Sequence, residues 1–209
     1  MLRVQQIKSE LFTSHVYLIT SSNSEEVFLI DCGTFENVFP YLTSTSNLAG
    51  IFLTHYHYDH IYFIEKWVAK FPKVKIYGSS ITKEGLSNPK RNLSFYHEDP
   101  ITHYPLNFNI INEHDSVRLF EKNVELSVIE TEGHCEGSLS FILENYIFTG
   151  DALIPNIPVV TKLKTGSKEK SKNSIVKIMK NTRVDTIICP GHLEMIEAIE
   201  VNWNIYIDA

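Results

Sequence analysis

Hydrophobic and polar positions along the first half of the chain alternate with period two or form short β-branched runs. This predicts strands over residues 2–8, 15–20, 27–31, 50–54 and 74–77. Two stretches between them switch to spacings of three and four, predicting helices over 35–42 and 61–71. The second gathers Ile61, Ile64, Trp67, Val68 and Phe71 on one apolar stripe. Residues 85–107 keep no period and carry Pro89, Pro100 and Pro105 among Asn88, Asn92 and Asn107, which reads as a long irregular segment. Ordered loops of that length are commonly functional, and Tyr96 and Tyr104 within it are candidates for lining a pocket. Strand patterning resumes over 107–112, 116–120, 124–131, 138–144 and 146–148. Turns at residues 121–123 and at Glu144-Asn145 make these a meander. A lysine-rich run over 162–172 reads as an exposed basic loop. A helix over 174–182, a buried strand over 186–189 and a helical stretch over 193–205 follow. No repeat or linker divides the chain, so one domain over 1–209 is expected.

Composition narrows this picture without redirecting it. With 209 residues, 43% hydrophobic and 21% charged, one core can bury most apolar side chains without disulfides. The apolar runs are short, as at residues 27–30, whereas a membrane span needs about twenty residues. The first residues lack the order of a secretory signal, so a cytoplasmic protein is expected. Three dispersed cysteines, Cys32, Cys135 and Cys189, form neither a disulfide framework nor a Cys-x-x-Cys metal site. A formal charge of -6 argues against a surface that tracks nucleic-acid phosphates and leaves a small molecule as the expected partner. Oligomeric state is open.

One segment carries unmistakable chemistry. His55, His57, Asp59 and His60 stand as H-x-H-x-D-H directly after the apolar strand that ends near Leu53. Imidazole nitrogen and carboxylate oxygen are the donors that zinc-like cations accept at about 2.0–2.2 Å. In an extended strand His55, His57 and Asp59 would share one face and His60 would point away, so the segment must bend, and the geometry favours two adjacent metals. Three further candidates stand at strand ends, each preceded by glycine: Gly133-His134, Gly150-Asp151 and Gly191-His192. Glycine lets the backbone turn sharply there and aim the following side chain inward.

In this order and these contexts, His55-Tyr56-His57-Tyr58-Asp59-His60, His134, Asp151 and His192 resemble the metallo-β-lactamase-fold hydrolases. The strand-end Asp31-Cys32-Gly33 matches the same family. Asn92-Leu93-Ser94 and the stretch from Glu200 to Asn204 are similar to segments of the small glyoxalase II-like members. The resemblance spans essentially the whole chain, but the helical glutathione-binding domain of glyoxalase II is expected to be missing. It implies an α/β fold, a four-layer αββα sandwich with the metals at one edge. Two divalent cations are implied, zinc foremost with iron and manganese as alternatives. Position by position, the resemblance assigns His55, His57 and His134 to the first cation and Asp59, His60 and His192 to the second, with Asp151 bridging. Asp31 would support the metal-binding loop from behind. The implied reaction is attack of a metal-bridging hydroxide on an ester, thioester or lactone carbonyl, with Asp59 orienting it and moving a proton.

Three alternatives stand beside it. A persulfide-dioxygenase-like enzyme would hold one iron through His55, His134 and Asp151. A phosphodiesterase or nuclease of the same fold would draw on the lysine run, and a scaffold would need no metal at all. Tyr56 and Tyr58 replace the small residues usual in the motif and predict an aromatic mouth. Cys135 reads as a small buried thiol, and His15, His97, His103 and His114 as histidines outside the ligand pattern.

Overall fold

The computed structural model describes residues 1–9, 12–103, 107–120 and 124–207. Tyr104 and the turn read at 121–123 lie outside them. The chain forms two compact units, Met1–Ile110 and Ile111–Ala209.

The first unit is built on six strands whose spatial order is their chain order: β1 (Leu2–Lys8), β2 (His15–Ser21), β3 (Glu26–Ile30), β4 (Asn47–Phe52), β5 (Lys75–Gly78) and β6 (Phe108–Ile110). β1, β2 and β3 pair antiparallel, while β3 to β6 run parallel. In the β2–β3 register Leu18 lies opposite Leu29. That shared face puts Val16, Leu18, Val27 and Leu29 into one cluster with Ile51, Ile61, Ile64 and Trp67. Tyr17, Ile19, Phe28 and Ile30 on the other face are buried as well, which is why residues 27–30 read as an unbroken apolar run. Each such side chain contributes about 1.5–3 kcal/mol by leaving water.

The second unit has six strands in the order β12-β11-β10-β9-β8-β7: β7 (Ser116–Leu119), β8 (Val124–Glu130), β9 (Leu139–Leu143), β10 (Tyr146–Gly150), β11 (Ile187–Pro190) and β12 (Ile196–Glu197). β7 to β10 form the expected meander, with Leu143 opposite Tyr146 across the Glu144-Asn145 turn. β11 then pairs parallel with β10, so a crossover must carry the chain back. Helix α4 (Lys168–Lys180) lies on that crossover, burying Ile175 and Ile178 with Ile129, Ile147 and Ile188.

Five local readings are corrected. The helix expected over 35–42 is a single 3-10 turn, Phe39–Tyr41, because Pro40 lacks the amide that would continue a helix. The helix expected over 61–71 is two, α1 (Tyr58–Ile61) and α2 (Ile64–Lys70); the Phe63 amide donates instead to the Cys32 carbonyl at 3.2 Å. Residues 85–107 begin inside helix α3 (Ser80–Leu86), and the lysine run is partly helical because Ser167 caps α4 six residues earlier than expected. Over 193–205 the chain forms β12, a 3-10 turn (Ala198–Glu200) and the start of the short helix α5 (Asn204–Ile207). No helix among the described residues is long and apolar enough to cross a membrane.

Candidate metal centre

The sequence-predicted donors divide between the two units, and each group is built by its own unit. In the first, parallel strand β4 ends at Phe52 and the motif runs from its carboxyl end into α1. His57 is the extended N-cap of that helix, with φ -66 and ψ 148, and Asp59 and His60 fall in its first turn. This change from strand to helix is the bend the motif requires. The rings of His55 and His57 lie 4.7 Å apart between centroids, and those of His55 and His60 4.2 Å. Asp59 Oδ2 stands 3.5 Å from His60 Nε2.

Beneath this turn lies Asp31, buried at the end of β3 with φ 59, a left-handed conformation uncommon outside glycine and asparagine or aspartate. Its carboxylate accepts from the Thr54 amide, the Thr54 hydroxyl and His60 Nδ1, each at 2.8 Å. Because the Thr54 hydroxyl spends its proton on Asp31, it accepts from His55 Nδ1 at 3.0 Å. Both imidazoles are therefore fixed as Nδ1–H tautomers, and each Nε2 carries the lone pair a cation would use. Gly33 completes the support. A Cβ built there would lie 1.9 Å from the Asp59 carbonyl oxygen, which also accepts from Ser14 Oγ at 2.8 Å.

The second unit positions its three donors through backbone ties. β10 and β11 end side by side, and the Gly191 amide donates to the Gly150 carbonyl at 2.8 Å, bringing Asp151 and His192 together. Gly133, at φ 139, lets the His134 loop lie against α4, where a Cβ would meet Ser171 Cα at 2.4 Å. His134 Nδ1 lies 3.0 Å from the Val160 carbonyl, which can only accept, so His134 also presents Nε2. Asp151 Oδ2 then stands 3.5 Å from His134 Nε2 and 3.7 Å from His192 Nε2.

These distances test whether the side chains suit a metal. They exceed a normal N–H···O bond of 2.7–3.2 Å. Donors held at about 2.0–2.2 Å around a tetrahedral cation sit about 3.3–3.6 Å from each other. The separations of 3.5, 3.5 and 3.7 Å meet or approach that value, and one carboxylate oxygen faces two imidazoles at once. The donor set fits divalent cations.

Other predicted residues sort differently. Tyr56 and Tyr58 do not form an aromatic mouth, since both are buried. Tyr56 packs on Gly85, and Tyr58 stacks on His97 at 4.1 Å. Burial first, and then the Tyr62 hydroxyl, push the Tyr58 phenol up, so it stays protonated. Cys135 is buried beside Ser138, as expected of an inert thiol. Asn92 joins the Gly85 and Ile101 carbonyls, shaping its own loop, while Tyr96 is exposed. Thr54 is the residue sequence reasoning missed. Its position immediately before the first histidine was the available signal.

A model described as the metallo-beta-lactamase superfamily matches residues 10–192. The chain is 27% identical over 154 residues to a hydroxyacylglutathione hydrolase of Pseudoalteromonas translucida (strain TAC 125), covering 73% of this chain and 51% of that protein. It is 29% identical over 178 residues to one of Haemophilus ducreyi, covering 84% of this chain and 65% of that protein. The chain thus spans about half to two thirds of the length of these curated relatives. Among solved structures, the BLEG-1 B3 metallo-beta-lactamase superposes with a TM-score of 0.83 at 22% identity, covering 99% of this chain and 97% of that one. That likeness shows the fold.

Proposed function

The chain belongs to the metallo-beta-lactamase superfamily, and from that premise we propose that it is a metal-dependent hydrolase of a small acyl compound, with a thioester as the leading substrate class. Its two units act as one catalytic domain. His55, His57 and His134 hold one divalent cation, Asp59, His60 and His192 hold a second, and Asp151 belongs to both. Zinc is the leading metal. The observation that carries this reading is the Asp151 oxygen facing His134 and His192 at 3.5 and 3.7 Å, the disposition of a carboxylate shared by two cations. The names of the hydroxyacylglutathione hydrolase relatives support the thioester.

Bound divalent cations supply an acidified water, with a pKa brought toward about 7, and polarise the scissile carbonyl. The chain's own residues do the rest. Asp31 and Thr54 hold the His55 and His60 rings with Nε2 presented, and the Val160 carbonyl does the same for His134. Asp59, whose side chain keeps 24% of its exposure, takes the proton of the attacking water on its carboxylate and returns it to the departing thiol or alcohol.

The test is elemental analysis of the purified chain, coupled to hydrolysis of a hydroxyacylglutathione thioester, a lactone and a phosphodiester. Two cations per chain, thioester cleavage abolished by chelation, and a folded but inactive Asp59→Ala variant are expected. A fully loaded enzyme that cleaves none of the acyl compounds would overturn the reading. One iron per chain with oxygen consumption would replace it by the dioxygenase alternative.

A further inference from the structure

Away from the donors, the second unit contains a cavity of about 380 Å³. This is within the range of small-molecule sites. Val160 and the ring of Tyr206 give it apolar walls; the Tyr206 hydroxyl is turned elsewhere, donating to the Ile154 carbonyl at 2.6 Å. Lys162, Lys168 and Lys172 rim it. Among the described residues none of the three pairs with a carboxylate, whereas neighbouring Lys170 is neutralised by Glu132 at 2.8 Å. Lys168 is the first residue of the thirteen-residue helix α4, and Lys172 follows one turn later. A cation at Lys168 opposes the positive end of the helix dipole, and Lys172 brings a second like charge one turn away. Folding alone therefore gives no reason to concentrate them. A second observation points the same way: Ser171, only 7% exposed, lines the cavity, and its hydroxyl makes no hydrogen bond among the described residues.

We propose that this cavity is a binding site for a small anion, a carboxylate or phosphate carried on an apolar body. Its head group is taken by Lys162, Lys168, Lys172 and the Ser171 hydroxyl, and its tail lies against Val160 and Tyr206. None of the proposed metal donors lines it, but Val160 on its wall is the residue whose carbonyl holds His134, so binding is read directly and not through hydrolysis. Charge-assisted contacts to lysine hold the head, and expulsion of water from the apolar walls holds the tail.

Calorimetric titration of the whole chain tests it, with octanoate and octyl phosphate as probes. Acetate and inorganic phosphate supply the head alone, and octanol the tail alone. One saturable site is expected for a probe bearing both parts, with the tighter of the two identifying the head group. The paired substitution Lys168→Gln with Lys172→Gln should weaken binding about tenfold or more. The same loss of charge outside the cavity, Lys164→Gln with Lys180→Gln, should change it by less than about twofold. Ser171→Val, which leaves the charge intact, should also weaken it. Octanol binding as tightly as octanoate, equal weakening by both lysine pairs, or no saturable binding of either probe would each overturn the proposal.

Discussion

Asp31 acts on two proposed metal ligands at once, His60 directly and His55 through Thr54. One buried carboxylate takes three hydrogen bonds at 2.8 Å and through Thr54 fixes a fourth group, His55. Asp31→Asn keeps a residue tolerant of the left-handed backbone but turns an amide donor toward groups that themselves donate. We expect it to cost about 3 kcal/mol in denaturant-monitored unfolding and to weaken metal binding roughly 10–100-fold in a chelator competition. Gly33→Ala should act from the opposite side. Its Cβ would meet the Asp59 carbonyl, so activity should fall with the Asp59 side chain chemically unchanged, read as a drop in kcat at full metal loading. At this scale the sequence was informative where residue type alone dictates chemistry, as with histidine and aspartate at strand ends. It marked Thr54 only by its place before His55, because the role of Thr54 comes from a partner 23 positions away, and it was misleading for Tyr56 and Tyr58, whose rings entered the core.

Elements were legible to the extent that their packing faces are apolar. β2 and β3 declared themselves through alternating and continuous hydrophobic runs, whereas α3 buries Thr82, Gly85 and Leu86, a face with little hydrophobic signal for periodicity to find. Only its capping residue Ser79, which accepts from the Thr82 amide at 3.0 Å, marked the start. The C-terminal helical reading failed because a strand of two residues and a 3-10 turn follow edge pairing with β11, a non-local condition. α4 offers a prediction at this scale. Lys168→Glu replaces an unfavourable charge at the helix start by a favourable one and should raise stability by about 0.5–1 kcal/mol in urea unfolding. The same change should abolish anion binding in the cavity, separating what the helix needs from what the site needs.

For the molecule as a whole, His103 is one source of acid sensitivity. Burial pushes its imidazole below the ordinary range and outweighs the opposing pull of Glu65, 3.8 Å away. A histidine kept neutral by folding takes up protons more readily when unfolded. Its contribution is therefore complete above the unfolded value of about 6.5, declines as pH falls below that, and is lost once pH passes the lower folded value. His103→Gln should flatten the fall of unfolding free energy with acidification below about pH 6.5, measured beside the unaltered chain. A wider dependence follows from the tie between Gly191 and Gly150. The register that stacks Ile188 against Ile147 also sets where Asp151 and His192 are aimed. A slip of one residue would invert every side chain of β11, so the reactive end of this unit inherits its tolerances from the sheet. Variants selected only for a sound core would preserve that alignment unasked, and faults in the core would surface first as faults in chemistry.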